Sequence, residues 1–267
     1  MSESTEALIR LFKQQNIILA LGIIIIASLG WLYVFHVTSI SSNGVQDNLM
    51  NVMSPEKQLW NFRDGMSAFI MWSVMMAAMM LPSAMPMILV FATVNRRRHS
   101  LVKEVVPTWM FVSGYILMWI FFSLIVALIQ LTLHNFSLIS VDMSIINPFL
   151  GGIILVFAGI YQFTPVKEVC LKNCQSPLGF IMENWRDGKF GAFIMGLHHG
   201  LYCIGCCWIL MILLFVAGVM NLSWVAIIAL FIFLEKVLIT KRWLSKIAGV
   251  LLVIWGIGLM GKNFLIR

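Results

Sequence analysis

Residues 191–221 read GAFIMGLHHGLYCIGCCWILMILLFVAGVMN, an apolar run that contains no Asp, Glu, Lys or Arg. A helix needs about 20 such residues to cross the hydrocarbon core of a bilayer. The whole chain of 267 residues has this character, since 61% of it is hydrophobic and 11% is charged, whereas soluble domains have about 45–50% and about 25%. The composition excludes a soluble enzyme, a disordered chain and a coiled coil. It predicts an all-α, polytopic helical membrane protein.

Seven apolar runs are candidate transmembrane helices. They cover residues 17–37, 66–92, 107–133, 148–164, 191–221, 222–238 and 247–261. The segments between them contain no low-complexity tract and no clear internal repeat, so we expect a single integral membrane domain over residues 1–267.

The basic residues predict the orientation of these helices, because cytoplasmic loops of membrane proteins carry an excess of Lys and Arg. We place the N-terminus in the cytoplasm. All 18 Lys and Arg residues then fall on the inner side except Lys57, Arg63, Lys262 and Arg267. The net charge of +7 is therefore interpreted as a topology signal and does not indicate nucleic-acid binding.

Charged residues within the seven runs are confined to Glu235 and Lys236, near the predicted inner end of the sixth run. We interpret them as a pair at the level of the lipid headgroups, with the Lys236 side chain extended towards water. The alternative is a proton- or cation-handling role for Glu235, because ionisable residues inside a membrane are costly and are candidates for function.

The run at 191–221 carries soft and borderline metal donors at helical spacing, at about 100° per residue. Four of them share one face over three turns, namely Met195, His199, Cys203 and Cys206. Cys207 lies at the edge of this face, and His198 points away from it. A lone membrane cysteine is a small hydrophobe, but three Cys and two His within ten residues favour a metal or redox role. Gly196 and Gly200 would let a neighbouring helix approach closely.

The run at 66–92 is rich in methionine, which serves either as a packing residue or as a soft ligand. Residues four apart share a helix face, so the methionines form two stripes. One consists of Met71, Met75 and Met79, and the other of Met76 and Met80. Pro82 and Pro86 are expected to interrupt the helix at about the depth of Cys203. The two sulfur-rich stretches are therefore expected to meet.

Two further cysteines, Cys170 and Cys174, lie in a predicted inner loop at residues 166–190. Their C-x3-C spacing differs from the C-x2-C of common zinc sites, and a reducing cytoplasm disfavours a disulfide. Lys167 and Lys172 nearby favour the thiolate form. The pattern predicts metal handover or reversible thiol chemistry, and two incidental loop cysteines are the alternative.

The softness of this donor set indicates which metal it suits. Thioethers and thiolates select Cu(I), although zinc and iron–sulfur clusters also accept thiolates. No predicted span supplies the carboxylates that magnesium or calcium requires. The sequence therefore predicts copper as Cu(I). Zinc remains an alternative, as does haem bound through axial His and Met, although no C-x-x-C-H attachment motif is present.

Three of these segments, residues 71–83, 170–179 and 196–208, resemble a bacterial family of predicted metal-binding integral membrane proteins, domain of unknown function 2182. The resemblance extends over roughly residues 67–236. It implies a multi-pass metal-binding protein of the bacterial inner (cytoplasmic) membrane and no established reaction. His198 departs from the pattern, because Arg is expected there in many relatives.

The favoured hypothesis is a membrane protein that handles copper. It would transport Cu(I) or deliver it to a cuproenzyme or metallochaperone partner, and no catalytic residue is assigned. One alternative is a membrane thiol–disulfide oxidoreductase, although Cys203 and Cys206 are three apart on a helix, where a disulfide is strained. The other is an accessory or assembly subunit of a membrane complex. The oligomeric state is left open.

Overall fold

The computed structural model describes residues 16–39, 62–99, 106–136, 147–238 and 242–265. Within these ranges the chain is helical and contains no β-strand, which confirms the predicted all-α fold. The helices are α1 (Asn16–Ser39), α2 (Phe62–His99), α3 (Thr108–Asn135), α4 (Pro148–Tyr161), α5 (Pro165–Gln175), α6 (Pro177–Asn184), α7 (Gly188–Ile212), α8 (Leu214–Ala217), α9 (Leu222–Val237) and α10 (Arg242–Leu265).

Five helical segments are long and apolar enough to cross a bilayer. They are Asn16–Ser39, Phe62–Arg98, Thr108–Asn135, Gly188–Ala217 and Trp243–Gly261. The pair α4 and α5 would make a sixth, while α9 has 16 residues and is shorter than a usual span of about 20. The residues before 16, which the orientation prediction places in the cytoplasm, lie outside the described ranges. The orientation and the single-domain organisation therefore stay predictions.

The fourth predicted span is not straight, and the inner loop expected after it is helical. Pro165 begins a new helix bent by 63° from α4, because proline has no N–H to continue the ladder of the preceding helix. The Thr164 side chain caps this helix by accepting from the backbone N–H of Lys167. The polar composition here suggested a loop, but Lys167 is buried and ion-paired with Glu235. This tertiary contact holds one face of α5 against the protein, while Val166 and Val169 on its other side stay exposed.

The prolines of α2 do not interrupt it, contrary to the prediction, since the helix runs continuously from Phe62 to His99. Side-chain hydroxyls supply hydrogen bonds beside them. The carbonyl of Met80 accepts from Ser83 Oγ at 2.8 Å and from Tyr115 OH at 3.1 Å. These bonds are additional to the helix, because the carbonyls that lose a partner are those of Ala78 and Pro82, four residues before each proline.

The helices that carry the sulfur-rich stretches lie at the centre of the protein. In the most apolar 18-residue stretch of α2, 61% of the residues are buried. In the corresponding stretch of the segment that contains α7, the buried share is 56%. The corresponding share is 17% for both α1 and α10, whose apolar side chains face outwards. The donors on α2 and α7 are therefore buried within the bundle.

Small residues bring α3 and α7 into close contact, as predicted for Gly196 and Gly200. A Cβ added at Gly196 would overlap the carbonyl oxygen of Phe111, and one at Gly200 would lie 2.8 Å from Met118 Cβ. Gly114 makes the same close approach from the α3 side, against the carbonyl of Phe193. The contact places Tyr115 of α3 directly beside the donor face of α7.

Glycines also join α4 to α10, and each of these two helices contributes two of them. A Cβ at Gly152 would lie 2.8 Å from the carbonyl oxygen of Gly256, and one at Gly159 would lie 2.7 Å from that of Gly249. The two glycines on each helix are about two turns apart, so both contacts repeat on one face. This pairing holds the shorter α4 along the outer helix α10.

We expect Gly196→Ala to destabilise the fold, because overpacking a filled contact typically costs about 1–3 kcal/mol. Gly258→Ala is the matched control, since a Cβ there has nothing within 4 Å and alanine favours a helix by up to about 1 kcal/mol. Thermal unfolding of both variants in the same detergent measures the difference. Equal midpoints would contradict the close approach of α3 and α7.

Candidate metal centre

Cys203 lies at the centre of a buried cluster to which several helices contribute. Its side chain is fully buried on α7. Its Sγ lies 2.8 Å from Nζ of Lys236 on α9 and 3.2 Å from the hydroxyl of Tyr115 on α3. Both partners are themselves buried. The thiol is therefore surrounded by polar groups within an otherwise apolar interior.

The helix α2 contributes the fourth side of this cluster. The ammonium of Lys236 lies 3.0 Å from Ser83 Oγ and 4.0 Å from Met80 Sδ, while Ser83 Oγ is 3.9 Å from the same sulfur. The sulfur-rich stretches of α2 and α7 thus meet at Met80 and Cys203, with the Lys236 ammonium between them. Proximity of the two stretches was expected, but the lysine was not.

The other cysteines gather around Cys203. The thiols of Cys206 and Cys207 donate to the Cys203 carbonyl at 3.1 Å and 2.9 Å. The half-buried Cys174 of α5 interacts through its thiol with those of Cys203 and Cys206. Cys170 lies against Gly205, where an added Cβ would be 2.7 Å from its Sγ. The structure thus brings the two cysteine motifs of the sequence to one place.

His199 is buried one turn before Cys203 on the same face of α7. Its ring stacks on Tyr115 at 5.5 Å and on Phe111 at 6.0 Å, and it meets Phe180 edge-on at 5.5 Å. Its Nδ1 has no hydrogen-bond partner in the part of the chain that the structure describes. Burying a nitrogen atom without a hydrogen-bond partner costs free energy, so His199 Nδ1 is available to bind a ligand.

The remaining predicted donors occupy other positions. His198 is half-buried and makes none of the ring contacts of His199 among the described residues. Five of the predicted methionine ligands are buried in the hydrophobic core, and their sulfur atoms make no hydrogen bond to the cluster in the described ranges. They are Met71, Met75, Met76, Met79 and Met195. From the two stripes on α2, Met80 is the residue whose sulfur lies within 4.0 Å of Lys236 Nζ.

The predicted extension of the Lys236 side chain towards water was wrong. Its side chain is buried and directed inwards, towards Cys203, and the adjacent Glu235 is paired with Lys167 at 2.5 Å instead. The sequence did carry a signal, since these two residues are the only charges within the seven apolar runs. Tyr115 was missed altogether, because nothing in an apolar helix distinguishes a tyrosine that contacts a thiol.

The charge of Lys236 determines the electrostatics of the cluster. A buried charge is stable only when it is paired and hydrogen-bonded. The groups in contact with this ammonium are a hydroxyl, a thioether and the Cys203 sulfur. Of these, the Cys203 sulfur is the one that carries a negative charge when deprotonated. The arrangement has the geometry of a buried ammonium–thiolate pair.

No three His, Cys, Asp or Glu side chains in the described ranges are arranged to hold a metal ion. The Lys236 ammonium also lies on the Cys203 sulfur, which a soft metal would bind. A metal would therefore need Lys236 to move, and the site would combine thiolates with the thioether of Met80. Such a donor set is soft and contains no carboxylate.

Comparison with known proteins supports this chemistry. Residues 69–259 match the model of the PpoB2 family, described as a copper chaperone. The match confirms the prediction of a metal-binding family, and its range includes every cluster residue from Met80 to Lys236. No curated protein and no solved structure matches the chain.

Met80→Leu conserves side-chain volume but removes the thioether. We expect it to weaken Cu(I) binding by about tenfold, the low end of the usual loss when a residue beside a metal site is changed. Competition with a Cu(I) chelator measures the affinity. Met87→Leu is the control, because Met87 is equally buried on α2 and is not part of the cluster. Equal losses in both variants would contradict the assignment of Met80.

Proposed function

The chain belongs to the PpoB2 copper chaperone family, and we propose that it holds Cu(I) inside the bundle and delivers it to a partner cuproprotein. The observation that carries the proposal is the cluster around Cys203. Cys206 and Cys207 lie within about one turn of it on α7, and the Met80 thioether contacts the same Lys236 ammonium as the Cys203 sulfur. Thiolates and thioethers are the ligands that select Cu(I). The buried and unpaired Nδ1 of His199 adds a borderline donor on the same helix face.

We propose that copper enters by exchange with the Lys236 ammonium. The ammonium lies 2.8 Å from Cys203 Sγ and 4.0 Å from Met80 Sδ, between the sulfurs that would bind the ion. Lys236 stays attached to α9, so it gives up its proton to water as the ion binds. A monovalent cation bound to the Cys203 thiolate then leaves the buried charge unchanged, whereas a divalent ion adds one charge unless a second thiol also loses its proton. The exchange therefore favours Cu(I) over zinc.

Release would follow the cysteines of α5. Cys174 interacts with Cys203 and Cys206, and Cys170 lies one turn away on the same helix, since residues four apart share a face. Both α5 cysteines are only half-buried. We propose that Cu(I) passes from the buried thiols to Cys174 and then to Cys170, where the partner takes it. Conduction of this kind needs sites that bind and also release.

The buried methionines of α2 extend this route in the other direction. Met76 lies one turn before Met80, and Met71, Met75 and Met79 form the adjacent stripe. Thioethers without a nearby thiolate are weak, exchangeable ligands for copper. We propose them as an approach to the site, subordinate to the delivery function.

We place the protein in the bacterial inner membrane, as its resemblance to membrane relatives implies.

The central test is the copper content of the purified chain under reducing conditions. We expect the wild type to bind up to stoichiometric copper and the Cys203→Ser/Cys206→Ser variant to lose it. Cys170→Ser is the matched control, because it should retain bound copper and only slow transfer to an acceptor. Unchanged copper in the double variant, with its fold intact by circular dichroism, would overturn this site.

Lys236→Met tests the exchange of copper for the ammonium. The variant removes the competing cation and adds a thioether of similar length, so we expect transfer of bound Cu(I) to an excess of chelator to slow by about tenfold. Stopped-flow absorbance of the chelator complex follows the rate. Faster transfer would instead show that the ammonium holds the thiolate ready for copper, and the exchange model would be abandoned.

A second candidate function, thiol–disulfide exchange, is favoured by one observation. Cys174 approaches Cys203 and Cys206 from a different helix, so a disulfide between them avoids the strain expected within α7. All five cysteines are free thiols in the structure. Differential alkylation followed by mass spectrometry distinguishes the two functions. We expect five alkylatable thiols in the metal-free protein, whereas an oxidised Cys174–Cys203 pair in cells would favour an oxidoreductase.

A further inference from the structure

Glu235 of α9 holds both ends of the helix that carries the two half-buried cysteines. Its carboxylate accepts from Nζ of Lys167, in the first turn of α5, at 2.5 Å. Its backbone carbonyl accepts from Nε2 of Gln175, the last residue of α5, at 2.8 Å. Cys170 and Cys174 lie between these two points of attachment. The copper route proposed above does not itself pass through Glu235.

The attachment at Lys167 is a buried ion pair with further support. Both side chains are almost fully buried. Lys167 also donates to Oε1 of Gln162, and its Nζ lies 6.0 Å from the centre of the Phe231 ring. The hydroxyl of Ser245 on α10 donates to the same carboxylate oxygen of Glu235. Removal of one charge would leave the other buried without a counter-charge, which makes this contact costly to break.

The helix α5 is separated from its neighbours in sequence at both ends. Pro165 begins it after the 63° bend from α4, and Pro177 begins α6 directly after Ser176. A proline cannot continue the hydrogen bonds of a preceding helix. Val166 and Val169 of α5 are 59% and 55% exposed. The position of α5 therefore depends on the contacts that its other face makes with α7 and with Glu235.

That face of α5 lies against the part of α7 that carries the buried thiols. The sulfur of Cys170 would lie 2.7 Å from a Cβ added at Gly205, and the thiol of Cys174 interacts with those of Cys203 and Cys206. The α7 cysteines are buried, whereas both cysteines of α5 are half-buried. A copper ion that leaves the buried thiols by this route therefore depends on where α5 is held.

We propose that Glu235 is a positioning residue for copper release. Its contacts with Lys167 and Gln175 form a clamp that keeps Cys174 against the buried thiols and away from an external acceptor. This role rests on the proposed delivery of Cu(I) along α5. Glu235 does not bind the ion, because its carboxylate is engaged by Lys167 and Ser245. Loosening the clamp lets α5 move outwards, which speeds exchange at Cys174 without changing the ligands of the buried site.

Glu235→Gln tests the clamp in the metal-free, full-length protein. The substitution removes the negative charge that balances Lys167, so we expect alkylation of Cys174 by a maleimide to become faster by about tenfold or more. Mass spectrometry measures the rate at each cysteine. Hydrogen exchange should increase in α5 and not in α3, which distinguishes local opening from general unfolding.

Glu168→Gln is the matched control, because Glu168 forms an exposed ion pair with Lys172 on the same helix at 3.2 Å. Its alkylation rate at Cys174 should equal that of the wild type. Equal rates in Glu168→Gln and Glu235→Gln, with both proteins folded, would overturn the clamp.

Gln175→Leu tests the second attachment without leaving a buried charge, so it remains informative if Glu235→Gln does not fold. Loss of this one hydrogen bond should raise the alkylation rate of Cys174 by about threefold. Asn173→Leu is the control on the other side of Cys174, because the Asn173 amide donates within α5, to the carbonyl of Val169. The same increase in both variants would contradict the attachment to Glu235.

Copper measurements separate the clamp from the delivery function. We expect Glu235→Gln to speed transfer of bound Cu(I) to an acceptor by about tenfold, while the affinity measured by chelator competition stays within about twofold. A change in the opening of α5 alters the rates of binding and release equally. Slower transfer, or an affinity that changes as much as the rate, would overturn the positioning role. Wild-type protein without copper would contradict the delivery function, and faster alkylation of Cys174 would then still support the clamp.

Discussion

The ammonium of Lys236, buried beside the Cys203 sulfur, is the constraint that organises the interior. Burial of an unpaired ammonium costs several kcal/mol even after the protein relaxes. The structure compensates this cost from three other helices, with Cys203 of α7, Ser83 and Met80 of α2, and Tyr115 hydrogen-bonded to both the thiol and the Met80 carbonyl. The contacts that pack the central helices against one another therefore also form the site.

The last turn of α9 links two polar networks through adjacent residues. Lys236 points into the thiol cluster, while Glu235 accepts from Lys167 and Ser245 and so ties α5 and α10 to the same point. The Gln175 side chain also donates to the Glu235 carbonyl at 2.8 Å. The position of α5, and with it that of Cys174, follows from these contacts. The thiol cluster and the polar network around Glu235 therefore share a structural support.

Several features were predictable because they depend on spacing within one helix. The donor face of His199, Cys203 and Cys206 follows from the helical period, and the close approach at Gly196 follows from the absence of a side chain. Two of the failures have one cause in common. Lys236 and the segment after Pro165 each behave differently once neighbouring helices supply a partner, namely a thiol and a carboxylate. Local composition cannot reveal a partner that is distant in sequence.

Composition and periodicity alone established an all-α membrane protein with soft donors on two helices, because apolar length and helical spacing are local properties. The softness of the sulfur ligands also favoured copper before the contacts between helices were known. Which donors meet was decided by the packing of α2, α3, α5, α7 and α9. That packing selected Met80 from five similar methionines, added Cys174 from α5 and turned Lys236 inwards. Contacts between helices depend on shape and charge across the whole bundle, and these are defined only when all the helices are in place.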